Sequence, residues 1–349
     1  MDVDEPQNPI QTPDKPVNGV EGAVENKQEE VPRPDPEPTQ EQDFKLRYIL
    51  SGHDRAISAL KFSHSGAFLA SSGADKQIKI WDAFTGDILR TLRGHTEGVS
   101  DIAWSSDDEY IASASDDKSI KIWNMELGVE SKALLGHTSF VFCVNYNKRS
   151  NLLVSGGFDE TVRVWDVARG KVLKVLPAHS DPVTAVGFNH DGTLIVSCAM
   201  DGLIRIWDSD SGQCLKTLVD DDNPIWFVHF NMSLPIVSST SLAHMFVFLQ
   251  TRDLSWYRPR IQLFDSGIIN NRDANTKNKY IVSGSEDNKA YIWDLQTRKV
   301  IQVLEGHRDV VLAVATHPTQ DIIATASMEK DPSVRLWWHT SIFPKDETK

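Results

Sequence analysis

Serine, histidine and aspartate recur together along this chain at spacings that invite comparison with a hydrolytic triad. His53, Ser71 and Asp75 are followed by His95, Ser113 and Asp117, then by His137, Ser155 and Asp159, then by His179, Ser197 and Asp201. A histidine held between a hydroxyl and a carboxylate can take the hydroxyl proton and make a nucleophile. A triad, however, is needed once, whereas this set returns every 42 residues. Each copy also carries a tryptophan ten residues after its serine: Trp81, Trp123, Trp165 and Trp207. Together the four residue types make a chain of hydrogen bonds. The indole N–H donates to the hydroxyl, the hydroxyl to the imidazole, and the imidazole to the carboxylate. Such a chain ties strands together. No G-x-S-x-G elbow, phosphate-cradling glycine loop, H-E-x-x-H or C-x-x-C accompanies it. The expectation is a protein without catalysis, metal or cofactor.

The elements that position these residues follow from the period. Units open on Gly52-His53, Gly94-His95, Gly136-His137 and Ala178-His179, and close on Trp-Asp or Trp-Asn. Runs such as Ile78-Lys79-Ile80-Trp81 are apolar at every second place, the pattern of a short strand. The register resumes at Trp293-Asp294, 86 residues after Trp207, and again at Trp337. Serine and aspartate recur there as Ser283 and Asp287, and a two-residue insertion in the last unit moves the hydroxyl to Thr325 ahead of Asp331. Counting one unmarked unit, there are seven repeats. A period near 42 with these markers predicts an all-β, seven-bladed WD40 β-propeller over residues 44–339. In that architecture a repeat supplies the outer strand of one blade and the inner three of the next. Phe44 to Leu50, alternately apolar and polar, is therefore expected to complete the last blade and cover its edge.

Residues 1–43 are different material. They hold eight of the sixteen prolines and carry −9 of the chain's net charge of −13, leaving the remainder at −4. A segment rich in proline, glutamate and glutamine buries too little apolar surface to fold alone, so a disordered acidic tail is expected, with a short second tail at 340–349. No apolar run spans a bilayer, and the acidic N-terminus reads as neither signal nor transit peptide. A near-neutral propeller without a basic stripe gives no support to direct nucleic-acid binding. Cys143, Cys198 and Cys214 read as buried free thiols in a reducing compartment, cytosol or nucleus.

Between residues 231 and 279 the pattern lapses although its length is kept. Phe248-Leu249-Gln250 stands where a tryptophan is due, no Gly-His precedes Ile281-Val282-Ser283, and Arg258-Pro259-Arg260 and an asparagine-rich run intervene. Only Ile261 to Asp265 resembles a blade strand, out of register. Either the blade is altered or this stretch is read in a wrong frame or from unspliced sequence; the punctual return of the register favours the second.

Repeats share a skeleton, so function is expected where one repeat departs from the others. The position five after the repeat histidine runs Ser58, Ser100, Phe142, Thr184 and, at the same spacing, Trp226. The position before the turn aspartate runs Ala74, Asp116, Phe158, Met200 and Glu286. Repeat three places phenylalanine in both. Two rings at a channel mouth near the Asp116 carboxylate suit a guanidinium, by cation–π attraction and hydrogen bonding. The plainer alternative is that the two rings merely plug the channel.

The words 100–107 (Ser-Asp-Ile-Ala-Trp-Ser-Ser-Asp), 140–143 (Phe-Val-Phe-Cys), 155–160 (Ser-Gly-Gly-Phe-Asp-Glu) and 176–183 (Leu-Pro-Ala-His-Ser-Asp-Pro-Val) resemble the WD-repeat scaffold subunit of histone H3 lysine-4 methyltransferase complexes of the COMPASS or MLL type. The resemblance covers 44–230 and 280–339. It implies that a partner's arginine enters the channel between Phe142 and Phe158, supported by Ser58, Ala74, Gly98, Ser100, Asp101, Asp116 and Thr184. It implies as partners the methyltransferase catalytic subunit, other subunits of the complex and the histone H3 tail, and a nuclear location. Three positions depart from the family: Met200 for a tyrosine, Trp226 for a serine and Met328 for a leucine. The rest of the channel wall falls in the lapsed stretch. Of the second peptide-binding face, only Gln296 is carried over. The rival within binding modules is a WD40 adaptor of a ubiquitin-ligase, signalling or transport assembly; the rival of another class is a hydrolase.

Overall fold

The computed structural model describes residues 44–219, 225–230, 236–241, 247–250, 263–269, 280–294, 297 and 299–342; in the strands between 226 and 269 only the backbone is described. These residues form seven antiparallel sheets. Blade one is Ile57–Phe62, Phe68–Gly73, Gln77–Asp82 and Ile88–Arg93. Blade two is Val99–Trp104, Tyr110–Ser115, Ser119–Asn124 and Val129–Leu135; blade three is Val141–Tyr146, Leu152–Gly157, Thr161–Asp166 and Lys171–Pro177. Blade four is Val183–Phe188, Leu194–Ala199, Leu203–Asp208 and Cys214–Val219. Blade seven takes Val311–Thr316, Ile322–Ser327 and Ser333–His339 from the end of the chain and Phe44–Ser51 from its beginning. That outermost strand pairs Leu50 with Val334 and Phe44 with His339, the closure its alternation predicts. Each innermost strand packs on that of the next blade, and Val311–Thr316 packs back on Ile57–Phe62. The ring is closed.

The stretch where the sequence pattern lapses supplies strands to two sheets. Ile225–Phe230, Ile236–Ser241 and Val247–Gln250 form a three-stranded blade five. Leu263–Ile269, of which the sequence offered only an out-of-register hint, is the innermost strand of blade six, beside Tyr280–Ser285, Ala290–Asp294 and Val300–Leu304. Ladder hydrogen bonds belong to the backbone and do not require the marker residues.

Apolar packing lies between blades. Ala70, Ile78, Ile80 and Leu92 of blade one meet Val99, Ile102, Ile111 and Trp123 of blade two, and the same sandwich repeats around the ring. Blades seven and one share Leu336, Trp338, Ile57, Leu60 and Trp81. Inner strands are thus covered on both faces, and second strands such as Leu152–Gly157 and Ile322–Ser327 are buried at nearly every position.

Within a blade the four marker residues make the bonds their chemistry allows. Trp81 Nε1 donates to Ser71 Oγ at 2.8 Å, Ser71 Oγ lies 2.8 Å from His53 Nε2, and His53 Nδ1 lies 2.8 Å from Asp75. Blade two repeats this through Trp123, Ser113, His95 and Asp117, and blade three through Trp165, Ser155, His137 and Asp159. Blade four uses Trp207, Ser197, His179 and Asp201. Blade seven has a fifth set, Trp337, Thr325, His307 and Asp331. The sequence reading missed His307, although Gly306-His307 stands 18 residues before Thr325, the interval from His53 to Ser71. All five hydroxyl-bearing residues are 0% exposed. A substrate carbonyl cannot reach them, which disposes of the triad chemistry at these positions. Burial alone would raise the Asp117 and Asp159 carboxyls. Hydrogen bonds from the histidine and from Ser119 or Thr161 outweigh it and hold both below the ordinary carboxylate range. In blade six no histidine completes the set among the described residues. Trp293 Nε1 is buried without a hydrogen-bond partner there, and Asp287 accepts from Tyr291 Oη at 2.5 Å instead.

One expectation is corrected. Cys143 and Cys198 are buried, but Cys214 is exposed, because it opens the outermost strand of blade four, which no further strand covers.

Candidate functional site

The column that ordinary spacing lined up has a structural cause. In six blades the pairing between the first two strands slips at the second residue of the innermost strand. Those residues are Ser58, Ser100, Phe142, Thr184, Trp226 and Leu312. In blade six the slip falls at Asp265. A β-bulge leaves its extra residue out of the ladder and re-aims the side chain. One end of the ring is therefore set with seven bulge residues, and their identities are free to differ because no ladder partner constrains them. Leu312 escaped the sequence columns for the same reason as His307, which it follows by five residues.

The second column is held by a repeated backbone bond. The N–H groups of Ala74, Asp116, Phe158, Met200 and Met328 donate to the carbonyls of Ala56, Gly98, Phe140, Pro182 and Val310 at 2.9–3.1 Å. Met328 thus belongs to this column, a place hidden in the sequence by the insertion before Asp331. Gly157 allows the approach in blade three, since a Cβ there would lie 2.3 Å from the Phe140 carbonyl oxygen.

Blade three accordingly presents three rings at the mouth. Phe158 is 50% and Phe140 43% exposed, and Phe142 is half-buried. The Phe142 and Phe158 centroids are 6.1 Å apart at 81°, and Phe140 and Phe158 are 6.0 Å apart at 65°. This geometry alters the expected slot. Phe142 and Phe158 touch edge to face, so no flat group fits between them as between parallel plates. They form one wall, and a guanidinium has an outer ring face to stack on. Phe140, absent from the expected set, extends that wall; its signal was a phenylalanine in a column otherwise holding Ala56, Gly98, Pro182 and Val310.

The polar residues divide into two kinds. Ser100 Oγ donates to Asp116 Oδ1 at 3.0 Å, and the Asp116 Oδ2 atom faces the gap beside Gly98 and Ala74. A Cβ on Gly98 would lie 3.4 Å from that oxygen and 3.5 Å from the Ala74 Cα, so Ala74, Gly98, Ser100 and Asp116 are one local group with an acceptor to offer. Ser58, Thr184 and Asp101 instead join blades. Ser58 Oγ donates to the Val99 carbonyl and Thr184 Oγ1 to the Ile225 carbonyl. The Asp101 carboxylate accepts from the N–H of Ile102 at 2.8 Å and of Val144 at 3.0 Å. These three fix the spacing of the mouth. Gln296 lies outside the described residues. Among the described residues no cluster of histidine, cysteine, aspartate and glutamate is arranged to hold a metal ion, and no helix is long and apolar enough to cross a membrane.

Curated relatives match over short stretches. WD and tetratricopeptide repeats protein 1 of Mus musculus is 41% identical over 59 residues, 17% of this chain and 8% of that protein. Protein Mut11 of Chlamydomonas reinhardtii is 43% identical over 61 residues, 18% of this chain and 16% of its own length. The WD repeat-containing protein WDS homolog of Arabidopsis thaliana is 40% identical over 58 residues, 17% and 11% of the two chains. The chain thus spans only a small part of the curated relatives it matches. A family model described as the WDR5 beta-propeller domain covers residues 49–338, nearly the whole ring. WD40 propellers of this kind are protein-interaction scaffolds and are generally not enzymes. The match, the seven sheets and the repeated tetrads agree, and the chain belongs to the WDR5 beta-propeller family.

Proposed function

We propose that the mouth of the ring docks an arginine-bearing peptide and that the protein is the non-catalytic scaffold of a histone H3 lysine-4 methyltransferase complex. The arginine would come from the methyltransferase subunit or from the histone H3 tail, and the complex would act in the nucleus. The observation that carries the reading is the pairing of an exposed aromatic wall on blade three with an acceptor group on the neighbouring blade two. The guanidinium stacks on the outer face of the phenylalanine wall, and its N–H groups donate toward Asp116. Ala74 and Gly98 are small beside that carboxylate and leave it approachable. The resemblance of residues 100–107, 140–143, 155–160 and 176–183 to the methyltransferase scaffold supports the choice of this assembly over ubiquitin-ligase, signalling or transport adaptors.

Calorimetry with a peptide from the histone H3 N-terminal tail tests it. Phe142→Ala, Phe158→Ala or Asp116→Ala should each weaken binding, the phenylalanine changes by about 2 kcal/mol or more. Replacing the peptide arginine with lysine should cost a similar amount, because an ammonium offers no flat face. Unchanged affinity in both phenylalanine variants would overturn the reading.

A further inference from the structure

The turns joining the first and second strands of blades one to four and seven begin on Ser63, Ser105, Asn147, Asn189 and His317. In each, the backbone N–H of that residue donates to the carbonyl that opens the second strand, at Phe68, Tyr110, Leu152, Leu194 and Ile322, over 2.9–3.1 Å. In the first four blades the side chain closes the turn from the other side. Ser63 Oγ, Ser105 Oγ, Asn147 Oδ1 and Asn189 Oδ1 accept from the N–H groups of Phe68, Tyr110, Leu152 and Leu194 at 2.9–3.1 Å. A hydroxyl and an amide stay neutral throughout the ordinary pH range.

Blade seven departs from the series by placing an imidazole there. His317 Nδ1 accepts from the Thr319 N–H at 3.1 Å and the Gln320 N–H at 3.0 Å. With two donors aimed at Nδ1, the ring proton sits on Nε2, which donates to the Gly66 carbonyl of blade one at 2.9 Å. The residue is 1% exposed, and the rings of Phe62 and Phe84 of blade one flank it at 5.2 and 5.8 Å. At this junction the end of the chain meets its beginning. Blades seven and one are held by the strand Phe44–Ser51 and by side-chain contacts of this kind.

The ionisable groups on the surrounding elements are Lys61 beside Phe62, His64 near Gly66, Asp82 and Asp87 on either side of Phe84, and Asp321 after Gln320. His64 lies 3.4 Å from Asp108, and the Asp82 carboxylate accepts from the N–H groups of Phe84 and Thr85. The Gly66 carbonyl favours a proton on His317 and burial opposes it. Burial prevails, so His317 is held below the ordinary histidine value of 6.5 and is neutral at pH 7.

We propose that His317 is a pH-sensitive clasp that keeps the ring closed between blades seven and one. The neutral imidazole receives two N–H groups of its own turn and gives one to blade one. A proton taken from water onto Nδ1 turns that acceptor into a donor facing two donors. The Thr319 and Gln320 N–H groups must then leave it, and the imidazolium loses by burial what water would give it. The clasp therefore loosens as pH falls and closes as pH rises. It needs no partner and stands whether or not the arginine reading of the mouth holds.

Imidazole nitrogen-15 spectra and amide hydrogen exchange on the full chain test it. At pH 7 the spectra should show neutral His317 with its proton on Nε2. The opened turn holds a histidine of ordinary proton affinity, so the open fraction should grow about tenfold for each pH unit between 6.5 and the folded value. Protection of the Thr319 and Gln320 amides should fall by that factor, while the Leu152 and Leu194 amides, held by Asn147 and Asn189, keep theirs. His317→Asn gives blade seven the residue that blades three and four carry, and should remove the pH dependence. A proton on Nδ1 at pH 7, protection at Thr319 and Gln320 that stays flat from pH 7 to 5, or an equal fall at Leu152 and Leu194 would each overturn the proposal in the unaltered protein. A pH dependence that persists in His317→Asn would overturn it as well.

Discussion

Ser155→Ala removes one oxygen from the centre of blade three and breaks two buried bonds at once. Trp165 Nε1 loses its acceptor at 2.8 Å, and His137 Nε2 loses its hydroxyl partner at 2.8 Å. Both Ser155 and Trp165 are 0% exposed, so water cannot replace the lost oxygen without entering a packed strand interface. A buried polar group left unpaired costs about 1–3 kcal/mol, which makes the expected loss about 2–6 kcal/mol for the pair. That is a large part of the roughly 5–15 kcal/mol by which folded domains are stable, yet the variant should still fold. Urea unfolding at pH 7, followed by tryptophan fluorescence, should show a lowered midpoint with an unchanged slope. Ser283→Ala is the internal control. In blade six the tryptophan N–H has no acceptor to lose, so this change should cost less than Ser155→Ala. A loss below about 0.5 kcal/mol for Ser155→Ala, or equal losses at the two positions, would refute the claim that the tetrads hold the blades together.

Acid should unfold the ring early. Burial pushes His307 down to about 4, against its Asp331 hydrogen bond, so the unfolded chain binds more protons than the folded one between pH 6.5 and 4. Stability should therefore fall as pH drops through that window, by about 2–3 kcal/mol at pH 4.5 from His307 alone. Asp75, Asp117, Asp159 and Asp331, all held below the ordinary carboxylate range, add losses of the same sign below pH 4; urea midpoints that stay flat from pH 7 to 4.5 would contradict this. Gly66→Ala should lower the melting temperature by straining the seam between blades one and seven. Its Cβ would lie 2.3 Å from the His317 ring, at a backbone φ of 78°; the cost is about 2 kcal/mol or more. A thiol reagent should label Cys214 in the native protein and leave Cys143 and Cys198 until unfolding, since burial both shields those two thiols and raises them, Cys198 to about 12. Mass spectrometry that finds Cys143 or Cys198 modified at the same rate as Cys214 would contradict it.

The sequence by itself determined the architecture, because a propeller is a one-dimensional repeat. His53, Ser71, Asp75 and Trp81 satisfy one another within a single blade, so their spacing is legible without knowing how blades meet. The strand closing blade seven was legible too, since alternation over Phe44 to Leu50 marks an edge strand wherever its partner lies. Gly306-His307 carried the same signal and went unread because a later insertion disturbed the interval to the tryptophan. Where the markers lapse, between residues 231 and 279, spacing had nothing to count, although the backbone there still pairs into sheets. Tertiary structure alone decided the site. Spacing could align Ser58, Ser100, Phe142 and Thr184, but only strand pairing makes them bulge residues. Spacing could pick out Phe142 and Phe158, but their edge-to-face contact depends on how a loop sits against a strand. It gave Asp101, Ser58 and Thr184 the same standing as Asp116, whereas the first three are spent on bonds to neighbouring blades. The physical reason is one of range. Tetrads are settled by contacts inside one repeat, while the mouth is settled by what the adjoining repeat brings to it.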